Sequence, residues 1–287
     1  MTKAALKDLS GSVSVHRCPT QRWGAPPIPR EHGAWVMIYV SAAIGLTSVS
    51  RPSALYGLLF VVALTGIFFA QNAAGILLRG HRESGTQRWL ALYALSSCAF
   101  GGALFLSPAR WALACFLVPA AALFGYQVRS VWPRRKRVDR SLTAEILTTV
   151  VLVMSAPAAA IATGGTALVA TLPGWALCAS YFVGSTVYVK SRIASIALER
   201  GGNNATRRAV LLVHAAQLLL CAAAWRGADE PVVAGLLIAG FVPSWTRALI
   251  TLARGKGLSS VRRLGMQEAV LACWFAVSAG VALRAGF

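Results

Sequence analysis

Glu31 and His32 stand side by side before the first apolar run and pair a carboxylate with an imidazole, two groups suited to proton transfer. Glu145 opens a later apolar run and adds a second carboxylate. Tyr188, Lys190 and Arg192 close another run, and Arg247 lies inside a further one. Ammonium and guanidinium groups donate charge-assisted hydrogen bonds to phosphates and carboxylates, so this second set suits an anion. Tyr188 and Arg192 are four apart and share a helical face, with Gly184 one turn earlier leaving space beside them. Asn72, next to Gln71, places an amide deep in apolar sequence, where it would orient a ligand or cross-link helices.

Each of these residues also has a structural explanation. Glu145 at a helix start is favoured by the helix dipole and by pairing with a nearby cation. His32 is equally suited to a backbone carbonyl, and His214 with Gln217 to bridging helices. Lys190 and Arg192 fit the ordinary pattern of long cations reaching from a helix end to the membrane surface. Glu268, following Arg262 and Arg263, reads as a surface ion pair at a helix start.

The elements that must position these groups are apolar runs over 34–50, 54–78, 88–106, 109–128, 142–163, 167–189, 207–225, 232–253 and 267–284. About 20 apolar residues of helix cross a bilayer. Backbone groups in lipid must be satisfied within the segment, and continuous rather than alternating hydrophobicity excludes a barrel. The fold class is therefore all-α, a polytopic bundle of about nine transmembrane helices. Pro119, Pro157, Pro173 and Pro243 are candidate helix breaks.

Charge supplies the orientation. Among 28 lysines and arginines only Arg51, Arg110, Arg226 and Arg284 fall on one side of a nine-span arrangement. Basic short loops stay cytoplasmic, so the N-terminus is expected in the cytoplasm and the C-terminus outside. The same rule accounts for a net charge of +19 without nucleic acid, and the run Arg134-Arg135-Lys136-Arg137 reads as a lipid-headgroup anchor. Residues 1–28 read as a basic cytoplasmic tail, and 29–287 as one transmembrane domain. The six cysteines lack paired metal-type spacing, and the histidines form no HExxH pattern, so no metal is expected. No internal repeat is visible, which weakens a carrier built from duplicated halves.

The string Pro29-Arg30-Glu31-His32-Gly33-Ala34-Trp35 resembles the PxEHGAW opening of the YwiC-like family of bacterial integral membrane proteins. Arg88 to Tyr93, Gly184 to Arg192 (GSTVYVKSR), Pro243 to Arg247 and Gly265 to Glu268 are similar to the pattern of that family. The resemblance implies the bacterial cytoplasmic (inner) membrane and no particular reaction. In architecture the chain is remotely similar to the UbiA superfamily of prenyltransferases, whose aspartate motifs hold magnesium and a prenyl diphosphate. Here the first motif position reads Asn72-Ala73-Ala74-Gly75-Ile76, and residues 190–200 contain Glu199 but no aspartate. Magnesium needs hard oxygen ligands, usually carboxylates, so neither that cofactor nor an ordinary transferase is expected.

The expectation is a cytoplasm-facing polar cavity, fed by seven helices, that binds an anionic lipid or isoprenoid-like amphiphile. Arg192, Lys190 and Arg247 would contact the head, Asn72 and Tyr188 would orient it, and Glu31, His32 and Glu145 would supply acid or base capacity. Apolar helix faces would hold the tail, with membrane lipids as the other partners. A UbiA-like transferase with a nonstandard site, or a carrier for a small metabolite or ion, are the alternatives.

Overall fold

The computed structural model describes residues 24–29, 32–80, 85–131, 141–164, 167–197, 204–227, 230–254 and 260–286. All regular structure among them is helical: α1 (His32–Thr47), α2 (Ala54–Leu78), α3 (Thr86–Leu104), α4 (Ala114–Val131), α5 (Leu142–Leu152), α6 (Ser155–Gly164), α7 (Leu168–Ala197), α8 (Asn204–Gly227), α9 (Pro231–Arg254) and α10 (Val261–Gly286). A 3-10 turn, Pro108–Leu113, leads into α4. Six segments are long and apolar enough to cross a membrane, namely Ala54–Leu78, Pro108–Tyr126, Leu142–Gly164, Leu168–Ala194, Pro231–Ala253 and Val261–Gly286. Gly33–Thr47 and Arg208–Ala223 are shorter apolar helices. Leu58, Leu95, Val118, Leu219 and Val277 point outward, the placement that lipid as solvent favours. This is a polytopic helical membrane protein.

The run over 142–163 is two helices rather than one, because Pro157 has no N–H to offer the Val153 carbonyl four residues earlier. That carbonyl accepts from the Ala156 N–H instead, at 3.1 Å, and the axis breaks at Val153 and Met154. Pro119, Pro173 and Pro243 remain inside continuous helices.

α6 is buried from Ser155 to Thr163, and its small residues let α1 come close. A methyl group at Gly45 would strike the Ala156 carbonyl, and Ser155 Oγ donates to the Ile38 carbonyl at 2.8 Å. Small interfacial residues and hydroxyl bonds are the usual means of holding helices together where lipid is as apolar as the side chains. Arg110, expected on the outer side at the start of the run over 109–128, is 8% exposed. Its Nε donates to the Ala162 carbonyl at 2.7 Å, and its Cζ lies 3.4 Å from the Tyr56 ring centroid. A cation there meets the negative end of the α6 dipole.

α7 packs against α1, α5, α6, α8, α9 and α10, while α2 and α3 form a hairpin that meets the rest through α1, α4, α6 and the 3-10 turn. At the centre Tyr181 stacks on Phe275 at 4.0 Å, with Phe182 and Phe241 edge-on to Phe275. Aromatic rings supply large contact area with defined geometry, which sets the rotation of α7 against α9 and α10. That rotation determines which side chains α7 presents at its C-terminal end.

Candidate anion-binding cavity

Pro243 shapes the approach to the site. Its missing N–H frees the Ala239 carbonyl, and the Trp274 indole of α10 donates to that oxygen at 2.8 Å. Arg247 follows one turn later on α9. Seven residues separate Arg247 from the end of α9 at Arg254, and seven separate Val261 at the start of α10 from Glu268. An antiparallel pair so spaced brings the two residues to one level, about two turns inside.

There Arg247 Nη1 and Glu268 Oε1 form an ion pair with side chains 16% and 14% exposed. Glu268 Oε2 accepts from Ser185 Oγ of α7 at 2.5 Å. The Arg247 guanidinium carbon lies 4.1 Å from the Tyr188 ring centroid, and Tyr188 OH shares a 3.0 Å hydrogen bond with Thr251 Oγ1. Burying opposite charges is tolerated when hydrogen bonds occupy their remaining valences, which Ser185 does for the carboxylate. Arg247 Nε is buried without a hydrogen-bond partner.

Above this layer a cavity of about 530 Å³ opens between α7, α9 and α10. Tyr188, Arg192, Arg247 and Arg263 line it, with Thr246 and Gln267 among the other polar groups. Among the described residues no aspartate or glutamate lines it. Three guanidiniums with hydroxyl and amide groups can recognise a phosphate, sulfate or carboxylate by bidentate hydrogen bonds.

Of the residues singled out from sequence, Tyr188, Arg192 and Arg247 share this cavity. Asn72, Glu145 and Lys190 are not among its lining. Glu145 and Lys190 instead pair with each other at 2.7 Å between α5 and α7, both partly exposed. Asn72 Nδ2 donates to the Pro27 carbonyl at 2.7 Å. Glu31 lies outside the described residues, as do the Arg134 to Arg137 run and Glu199; of His32 only its place at the start of α1 is described. The expected meeting of polar groups from seven helices thus narrows, among the described residues, to a site on three.

Arg263, Gln267 and Thr246 are lining residues that the sequence reading did not single out. Glu268, expected in a surface ion pair, is instead the largely buried partner of Arg247. Its position, as far from the α9–α10 connection as Arg247 is, was the available signal. Gln217 does bridge helices: its amide donates to the Ser180 carbonyl of α7 at 2.7 Å and accepts from the Trp245 indole of α9 at 2.9 Å. His214 Nδ1 meets the Val210 carbonyl of its own helix at 2.8 Å.

A second polar cluster holds residues 24–29 across the ends of α1, α2 and α3. Trp35 Nε1 donates to the Pro29 carbonyl at 3.1 Å and Trp89 Nε1 to the Gly24 carbonyl at 2.9 Å, alongside the Asn72 bond. Prolines offer carbonyls but no N–H, so donors from neighbouring helices are what such a strap can use. Trp35 also stacks on Tyr39 at 5.6 Å and meets Phe68 and Phe69 edge-on. Pro29 and Trp35 of the opening signature are therefore partners in fixing the strap. No three His, Cys, Asp or Glu side chains gather as metal ligands among the described residues.

No curated protein and no solved structure matches the chain, and the likeness to the UbiA superfamily gains no support. The residues behind the cavity, from Tyr188 to Gln267, lie beyond the stretch that a known family covers. That stretch, residues 28–160, runs from the strap into α6 and matches the model of a family described as YwiC-like protein, so over these residues the chain is similar to that family.

Proposed function

We propose that the cavity between α7, α9 and α10 binds the anionic head of a lipid or isoprenoid-like amphiphile at the cytoplasmic face of a bacterial inner membrane. The observation that carries this reading is a lining with three guanidiniums and no described carboxylate. Arg192 and Arg263 contact the head, Arg247 shares it with Glu268, and Tyr188 orients it. Exposed apolar residues adjoining the cavity on α9 and α10, Ile250, Val261 and Met266, give a tail a lipid-facing path. The orientation, N-terminus in the cytoplasm and C-terminus outside, rests on the distribution of lysine and arginine. Binding rather than a reaction is proposed, since the described acid-base candidate, Glu145, is tied to Lys190.

The test is mass spectrometry of lipids co-purified with the protein and with an Arg192→Ala/Arg263→Ala variant. An anionic amphiphile enriched over bulk membrane on the first and depleted on the second supports the reading. Identical bulk phospholipid on both overturns it.

A further inference from the structure

Arg247 belongs to two environments at once: it lines the cavity, and its Nη1 holds the buried Glu268 carboxylate. Glu268 has no other cation among its described ion pairs, and its second oxygen is already committed to Ser185. An anion seated on Arg247 therefore competes with Glu268 for one guanidinium. A carboxylate that loses its cation in a desolvated layer is too costly to leave ionised, and protonation is the way it is neutralised. As a neutral acid it still accepts from Ser185 and gains an O–H to donate.

Resting on the proposed anion-binding role, we infer that this site takes up a proton together with its anion, with Glu268 as the proton acceptor. Solvent reaching the cavity supplies the proton, which adds to Glu268 as Arg247 turns its hydrogen bonds to the ligand. Charge is conserved within the site, because one negative group replaces another beside Arg247. Release of the anion reverses both steps. The unpartnered Nε of Arg247 gives the guanidinium a donor to commit when it turns.

The ionisable groups around the pair are few. From α7 they are Tyr181, Tyr188 and Arg192; from α8, His214, which lies within electrostatic reach of Arg247. α10 itself contributes Arg263 and Cys273, and α1, packed on α10, has Tyr39 as its described ionisable side chain. An imidazole is the side chain that ordinarily changes charge near neutral pH, so the contribution of His214 must be separated from that of Glu268.

Octanesulfonate is a suitable probe, because its head carries one fixed charge and its tail is apolar. Calorimetric titration of the full chain in detergent, in two buffers of different ionisation enthalpy, counts protons taken up per probe bound. The expected result is about one proton per probe, with affinity falling about tenfold for each unit rise in pH. Glu268→Gln is expected to bind with a flat pH profile and no uptake, while His214→Gln keeps the slope of the wild type. Saturable binding without uptake, or uptake that survives Glu268→Gln, overturns proton coupling and leaves the anion site standing. Absence of saturable binding to the wild type overturns both. If Glu268→Gln fails to fold, the proton count on the wild type and on His214→Gln still decides the question.

Discussion

Gly184 on α7 leaves the space that the Gln217 carboxamide of α8 occupies, and a methyl group at 184 would overlap Gln217 Nε2. Gln217 is 1% exposed and ties three helices through Ser180 and Trp245. Gly184→Ala is expected to lower stability by about 1–3 kcal/mol, since the amide must move and leave buried partners unbonded. Adding Gln217→Ala should cost less than the sum of the two single changes. Unfolding of the single and double variants in detergent checks this; strict additivity would contradict the steric account.

The ion pair between Arg247 and Glu268 predicts an asymmetry. Arg247→Met leaves a carboxylate buried without its cation and is expected to cost about 3–5 kcal/mol. Arg247→Met/Glu268→Met removes both charges and should recover most of that loss. The comparison is of unfolding free energies, and a double variant no more stable than the single one would show that the pair itself stabilises the bundle.

Arg110 predicts a dependence on guanidinium geometry. It donates through Nε to the Ala162 carbonyl while its plane covers the Tyr56 ring. Lysine has neither that nitrogen nor a planar face, so Arg110→Lys should lose about 1–2 kcal/mol despite its retained charge. Equal thermal stability of the two proteins would contradict the assignment.

Release of the strap should be local. Asn72→Ala removes one of the side-chain bonds that Trp35, Asn72 and Trp89 make to residues 24–29, worth about 1 kcal/mol. Faster proteolytic cleavage within 24–29 at an unchanged global melting temperature is the expected outcome. A parallel fall in melting temperature would mean that the strap is part of the main cooperative unit.

How much was legible follows from the range of each interaction. Hydrophobic runs are local, and the lipid requirement acts on each separately, so most helix ends were readable to within about three residues, whereas α7 runs eight residues past Val189 and α10 begins six before Gln267, where polar residues continue the helix beyond the apolar run. The break before α6 has a local cause in Pro157. Tyr188 and Arg192 were legible as a pair because four residues on one helix fix a common face. Arg247 and Glu268 were legible in principle, since a short connection between antiparallel helices sets their level.

The amino-acid sequence by itself determined an all-α membrane bundle, its apolar segments and the stock of polar groups set among them, because each depends on residues adjacent in the chain. Only the tertiary structure decided how those groups were shared out. Lys190 turns to Glu145, Asn72 to the Pro27 carbonyl, and Arg192 and Arg247 to one cavity. Those choices depend on the rotation of each helix about its axis, which is set where Gly45 meets Ala156, Gly184 meets Gln217 and Tyr181 stacks on Phe275. Contacts between residues so far apart in the chain are a property of packing, and no single segment contains them.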